Sequence, residues 1–232
     1  MIETKNLFFR YDEQNVLKNL NIRIKEGTFT TIIGANGSGK TTLAKHLNAL
    51  LLPTKGSVIV DDIDTKKNQV DVRKKVGYVF QNPEDQLINS IVEEDIAFGL
   101  ENLGVETKDM KIKVKNIMEE LGIENLAKKN VNILSFGQKQ LAALAGVLVM
   151  SPKYIVFDEP TTMLDSRNKK NIMHIIKSLN KKNKIGIILV TNVIRDIKDS
   201  SRIIVLSKGK IIFDDKRKKL DKSILKRAGL DV

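Results

Sequence analysis

The 232-residue sequence contains no cysteine and no tryptophan, and aromatic residues make up only 5% of it. Without cysteine there is neither a disulfide framework nor a thiolate metal site, and the composition fits a reducing compartment. The longest apolar run, Leu141 to Met150, is about half of the ~20 residues that a membrane-spanning helix requires. The first residues, Met1-Ile2-Glu3-Thr4, lead straight into an alternating pattern. They lack the basic start and apolar stretch of a signal peptide, so no export is expected. Internal repeats and low-complexity linkers are missing as well. What is present is a hydrophobic content of 41%, enough for a real core and too much for a disordered chain. The formal net charge is +12. Because the lysines are scattered among many Asn and Ile residues, compositional bias accounts for much of this charge and nucleic acid is its weaker reading.

Runs of Ile, Leu and Val recur between Gly and Asp/Asn punctuation, the pattern of buried strands alternating with helices in an α/β domain. Ile22 and Ile24 alternate with polar neighbours up to a turn at Glu26-Gly27, and a buried strand is expected over 28–33. A glycine-rich stretch follows, then a helix over 41–51 carrying Leu43, Leu47 and Leu50 and ended by Pro53. Short buried strands are expected over 57–60 and 76–80. From 82 to 150 the character changes, with helical patterns over 91–103, 110–121 and 138–150 that read as an inserted subdomain. Strands return over 154–158, 185–190 and 202–206, with a helix bearing Ile172, Ile175, Ile176 and Leu179 between the first two. The core is thus expected over 1–81 and 151–213, with a basic tail over 214–232. The stretch from Lys216 to Arg227 is either an amphipathic cap using Leu220, Ile224 and Leu225 or a solvated end.

Two motifs carry chemistry. Gly34-Ala35-Asn36-Gly37-Ser38-Gly39-Lys40-Thr41 matches the phosphate-binding loop in its required place between a strand and a helix. Its backbone N–H groups would face phosphate oxygens, Lys40 would reach the β- and γ-phosphates, and Thr41 would offer its hydroxyl to Mg²⁺. Thr42 would help at the α-phosphate or cap the helix. Tyr154-Ile155-Val156-Phe157 is an apolar strand that ends in Asp158-Glu159, which places two carboxylates where α/β sheets bind ligands. Asp158 would hold Mg²⁺ through its water shell, and Glu159 would orient the water that attacks the γ-phosphate. A solvated acidic strand end is the blander account, and the phosphate loop upstream leaves it little room.

Between these motifs, Leu134-Ser135-Phe136-Gly137-Gln138 resembles the signature of the ABC ATPases, Leu-Ser-Gly-Gly-Gln, and the resemblance covers nearly the whole chain. It implies a P-loop NTPase core with a mostly parallel sheet, an N-terminal antiparallel β subdomain and an inserted helical subdomain. It also implies Tyr11 as the aromatic against adenine, Gln81 as the Q-loop residue near Mg²⁺ or the attacking water, and Asp165 in a D-loop at Met163-Leu164-Asp165. In that family two ATPases sandwich ATP, so Ser135, Phe136, Gly137 and Gln138 would act on the nucleotide of a second subunit. A plain helix cap at Ser135 is compatible with that role.

Gln81-Asn82-Pro83-Glu84-Asp85-Gln86-Leu87, Thr162-Met163-Leu164-Asp165 and the run from Ala145 to Met150 are similar to ATPases of energy-coupling factor importers. The implied cofactors are ATP and Mg²⁺. The implied partners are a second ABC ATPase, identical or different, a transmembrane coupling subunit and a substrate-binding membrane subunit, met at the cytoplasmic face of the membrane.

Three positions depart from the family. Asn192 stands where a histidine senses the γ-phosphate, Phe136 replaces the first glycine of the signature pair, and Leu141 occupies a site that commonly carries arginine. His46 and His174 do not match the missing histidine and receive no chemistry. Two outcomes stay open: a weakened half of an asymmetric pair, or an active homodimer. A soluble ABC ATPase acting on nucleic acid or the ribosome is the alternative class, and another P-loop enzyme such as a nucleotide kinase a third.

Overall fold

Alternation of apolar and polar residues at the N-terminus produces two long strands, β1 (Ile2–Tyr11) and β2 (Gln14–Ile24), paired antiparallel with Ile2 opposite Ile24. The structure is a computed structural model and describes residues 1–231. The turn after β2 leads into β3 (Phe29–Ile33), buried at every position, and then through the glycine loop into α1 (Lys40–Leu47). That helix stops short of the expected residue 51: Ala49 takes a left-handed φ of 59° and Leu50 faces solvent. Strands β4 (Lys55–Val60) and β5 (Ile63–Asp64) complete a four-stranded antiparallel sheet in the order β2-β1-β4-β5. Helix α2 (Gln69–Lys75), absent from the sequence reading, starts at Asn68, whose side chain accepts from the Asp71 N–H, and leads into β6 (Val76–Val79).

The inserted segment contributes α3 (Val92–Asn102), α4 (Thr107–Leu121) and α5 (Phe136–Leu148). The chain then forms β7 (Tyr154–Asp158), α6 (Ser166–Asn183), β8 (Gly186–Thr191), β9 (Arg202–Ser207), β10 (Lys210–Lys216) and α7 (Lys222–Arg227). The residues form two compact units, one comprising Met1–Tyr78, Lys153–Glu159 and the chain from Ile175 onward, the other Val79–Pro152 and Pro160–His174.

In the first unit the second sheet has the order β10-β9-β3-β8-β7-β6. The neighbours β9, β3, β8 and β7 are parallel, and β10 returns antiparallel on β9. Strands β3, β7 and β8 are buried throughout, as expected of parallel strands covered on both faces. Because they run the same way, their carboxyl ends deliver Gly34, Asp158 and Thr191 to one edge, where such sheets bind ligands. The basic tail is a cap: Leu225, Ala228 and Leu230 are buried against Ile33, Ile203 and Val205, with Leu220 and Ile224 packed at the margin. In the second unit, Val92, Ile96 and Leu100 of α3, Val114 and Met118 of α4, and Ala142 to Ala145 of α5 form the buried face.

His46 lies fully buried on α1, its Nδ1 2.7 Å from the Thr42 carbonyl oxygen and its ring edge-on to Phe9. Burial lowers its pKa below the usual 6.5, against the backbone hydrogen bonds of Thr42 and Leu52. Since the unfolded chain binds the proton more readily, this histidine's contribution is intact above pH ~6.5 and declines as the pH falls below it. Urea midpoints at pH 7.5 and pH 5.5 should therefore differ more for the wild type than for His46→Leu.

Candidate functional site

The glycine loop leaves β3 at Gly34, whose α-carbon is packed so closely that an added Cβ would lie 2.2 Å from the Leu206 carbonyl oxygen and 2.7 Å from Ser38 Oγ. Gly39, at φ 100°, is the residue before α1 and turns the chain into the helix. The loop therefore closes around Ser38 and Lys40, which are buried to 5% and 4% exposure. Lys40 Nζ donates to the Ala35 carbonyl oxygen at 3.1 Å and lies 3.7 Å from Glu159 Oε1. Burial lowers the Lys40 pKa, and the charges of Glu159 and Asp158 oppose that shift.

At the end of β7, Asp158 is held at both oxygens. Thr41 Oγ1 donates to Oδ1 at 3.0 Å, and the Tyr78 hydroxyl donates to Oδ2 at 2.7 Å. Burial raises the Asp158 pKa, while the hydrogen bonds from Tyr78 and Thr41 and the charges of Lys45 and Lys40 pull the other way. Glu159, next in the chain, takes φ 48°, a left-handed conformation unusual for a residue with a side chain. Its backbone N–H is satisfied by the Val190 carbonyl oxygen at 2.9 Å. After β8, Asn192 Nδ2 donates to Asn36 Oδ1 of the glycine loop at 3.0 Å. Tyr11, at the end of β1, is 47% exposed, its ring edge-on to Phe9 with centroids 4.8 Å apart. Phe9 in turn packs on His46 of α1, so the tyrosine ends an aromatic row that begins on the helix of the phosphate loop. Thr42 lies in the first turn of α1, whose cap is Gly39, so it does not cap the helix.

These residues suit a nucleoside polyphosphate. Ser38 Oγ is buried and turned inward without a protein partner, Lys40 supplies buried positive charge, and the loop is narrowed by glycine where backbone must approach. For a divalent cation the fit is a hydroxyl and a carboxylate in contact, Thr41 and Asp158. Such a sparse protein contribution suits Mg²⁺, which keeps waters and takes further ligands from phosphates. Among the described residues no cluster of three or more His, Cys, Asp or Glu side chains could bind a metal by itself.

The second unit holds Gln81, the residues of the signature and Asp165. Ser135 opens α5 with a reciprocal capping box: its N–H donates to Gln138 Oε1 at 3.0 Å, and its Oγ accepts from the Gln138 N–H at 3.4 Å. Asp165 opens α6, accepting from the N–H groups of Arg167 and Asn168 at 2.8 and 3.0 Å. The Asn168 amide also donates to Asp165 and covers Gly137 so tightly that an added Cβ would meet its Cγ at 2.9 Å. Downstream of Gln81, Gln86 Nε2 donates to the Ala143 carbonyl oxygen of α5 at 2.9 Å, and Glu84 pairs with Lys139.

Residues 17–162 match the ABC transporter family. This chain belongs to the ABC transporter family. It is 44% identical to the energy-coupling factor transporter ATP-binding protein EcfA1 of Caldanaerobacter subterraneus subsp. tengcongensis, over all of this chain and 87% of that protein. It is 43% identical to the cobalt import ATP-binding protein CbiO of Syntrophus aciditrophicus, over 93% of this chain and 78% of that one. Among solved structures, cbiO1 of Clostridium perfringens, part of the cbiONQ transporter complex, superimposes with a TM-score of 0.85 at 34% identity, covering 94% of this chain and 89% of that one. A dimeric ATP-binding cassette bound to ADP and Pi matches with a TM-score of 0.83 at 31% identity, over 93% and 98% of the two chains.

As a member of the ABC family the chain is an ATP-binding ATPase, and the expected P-loop core with its antiparallel sheet and helical insertion is the fold observed. Sequence reasoning missed Tyr78 and Asn168. The first looks like an ordinary residue of a buried strand and the second like a polar residue on a helix, and only spatial proximity reveals their partners. Alanine at Gly34 should abolish nucleotide binding and destabilise the chain by about 1–3 kcal/mol through overpacking. Gly37, at φ 75° with nothing within 4 Å of an added Cβ, should lose only the ~1–2 kcal/mol of left-handed strain. Urea denaturation and nucleotide titration of the two variants test that order.

Proposed function

We propose that this chain is the ATP-hydrolysing motor of an energy-coupling factor importer, working at the cytoplasmic face of the membrane. The observation that carries the reading is the constellation of buried Lys40, Asp158 and Glu159 beside Thr41, on a chain whose relatives are named as energy-coupling factor transporter ATP-binding proteins. Gly34 to Thr42 bind the phosphates, with Lys40 on the β- and γ-oxygens, and the exposed Tyr11 stacks on adenine. Thr41 and Asp158 would hold Mg²⁺, which would supply positive charge against the phosphates. Glu159 orients the water that attacks the γ-phosphate. Its strained backbone aims the carboxylate in a fixed direction, as strain at functional sites commonly does. Gln81 as a cation and Q-loop residue and Asp165 as a dimer contact are carried by the resemblance. Ser135, Phe136, Gly137 and Gln138 present the start of α5 to the nucleotide of a second ATPase.

Nothing in the described residues is long and apolar enough to cross a membrane as a helix. In this reading a transmembrane coupling subunit and a substrate-binding subunit complete the importer, and binding to the first of these runs through the loop from Gln81 to Leu87. A finer reading concerns Asn192. Its amide is engaged with Asn36 and cannot become a cation, so it stabilises developing phosphate charge less than a histidine would. This chain then forms the weaker half of a heterodimeric motor.

ATP turnover by the purified chain and by its membrane complex tests both levels. Glu159→Gln should keep nucleotide binding and lower turnover by about 10²-fold or more. Asn192→His should raise turnover in the isolated chain. Brisk wild-type turnover that Asn192→His leaves unchanged would remove the weakened-site reading, and failure to co-purify with a multi-span membrane protein would remove the importer.

A further inference from the structure

Asp158 is unusual among the site residues in having both carboxylate oxygens fixed by hydroxyl donors from different elements. Thr41 on α1 takes Oδ1 and Tyr78 on β6 takes Oδ2. Tyr78 is buried, at 5% exposure, so its hydroxyl is shielded from bulk water. A carboxylate gripped at one oxygen rotates about its Cβ–Cγ bond; gripped at both, it keeps one oxygen beside the Thr41 hydroxyl.

We propose that Tyr78 is a positioning residue for the divalent cation, holding the Asp158 carboxylate in the one orientation that keeps Oδ1 beside Thr41 and so favouring Mg²⁺ over larger cations. The size preference follows from the chemistry: Mg²⁺ demands near-ideal octahedral geometry, whereas Ca²⁺ accepts varied ligand directions and numbers. Orientation of a ligand by an outer partner is worth about 10- to 100-fold in metal affinity at comparable sites. The inference rests on the phosphate and cation roles proposed above for Thr41 and Asp158.

The test uses the full chain, a fluorescent ATP analogue, and titrations with MgCl2 or CaCl2. For Tyr78→Phe the Mg²⁺ concentration giving half-maximal nucleotide binding should rise about 10- to 100-fold. The Ca²⁺ requirement should rise less, and binding in EDTA should stay as in the wild type. An unaltered Mg²⁺ requirement, or equal losses with and without metal, overturns the positioning role and leaves the function standing. A wild-type chain whose nucleotide binding ignores Mg²⁺ overturns both. Should Tyr78→Phe not fold, the wild type still decides the matter. Its three tyrosines can be labelled at ¹³Cζ, and the Tyr78 resonance must shift when Mg²⁺ joins the nucleotide complex. A Tyr78 resonance that does not respond to the metal refutes the inference.

Discussion

The site is organised around a buried lysine facing two buried carboxylates. Removing charges from water costs several kcal/mol for each ion, and mutual attraction offsets this only when geometry is close and remaining polar atoms are bonded. Here Lys40 and Glu159 stand 3.7 Å apart, longer than a tight charge-assisted hydrogen bond. Burial outweighs pairing for both Lys40 and Asp158, the lysine losing basicity and the aspartate losing acidity. An arrangement optimised for stability would bring these groups together or replace them with apolar side chains. Buried charges held apart by a few ångströms instead form a preorganised field, the kind of electrostatic arrangement that clusters at functional sites.

That field is possible because the surrounding backbone is rigid. Strands β3, β7 and β8 are parallel and fully buried, so the glycine loop, the two carboxylates and Asn192 leave the sheet at a common edge. Glu159 turns left-handed at once, a conformation that costs on the order of 1–3 kcal/mol and is retained where its N–H bonds the Val190 carbonyl. The tail that continues past β10 packs Leu225 and Leu230 against Ile33, the last residue before the loop. The base of the glycine loop therefore rests on the far end of the sequence.

Much of this was legible from the chain because the relevant physics is local. A phosphate loop needs glycines, a lysine and a hydroxyl in consecutive positions, and its strand and helix are its neighbours. The apolar run into Asp158-Glu159 carries its own context in the same way. Legibility failed where the determining contact is distant or the local pattern weak. Helix α2 is seven residues long and mostly polar, so its start at Asn68 gave no apolar stripe to read. Strand β10 alternates only partly and merges with the basic tail. Tyr78 has the burial expected of its strand, but its partner lies 80 residues away. Asn168 is likewise just a polar residue until it is seen across Gly137. That contact, with the bond from Asn168 to Asp165, ties the start of α5 and the start of α6 into one local structure.

Asn192 shows how a single departure propagates. A histidine in its place offers a proton that can be shared with developing negative charge; a carboxamide offers two fixed donor hydrogens and no charge. One of those donors serves Asn36, so Asn192 braces the outer arm of the phosphate loop. Among the site residues of the first unit, positive charge at the phosphate loop then comes from Lys40, whose own basicity burial has reduced. In the motor proposed above, charge that builds on the γ-phosphate would be met by the cation, by the backbone N–H groups of the loop and by the α5 terminus of a second ATPase. In the proposed motor, asparagine in place of histidine would therefore raise this chain's dependence on its partner, a coupling that follows from the chemistry of one side chain.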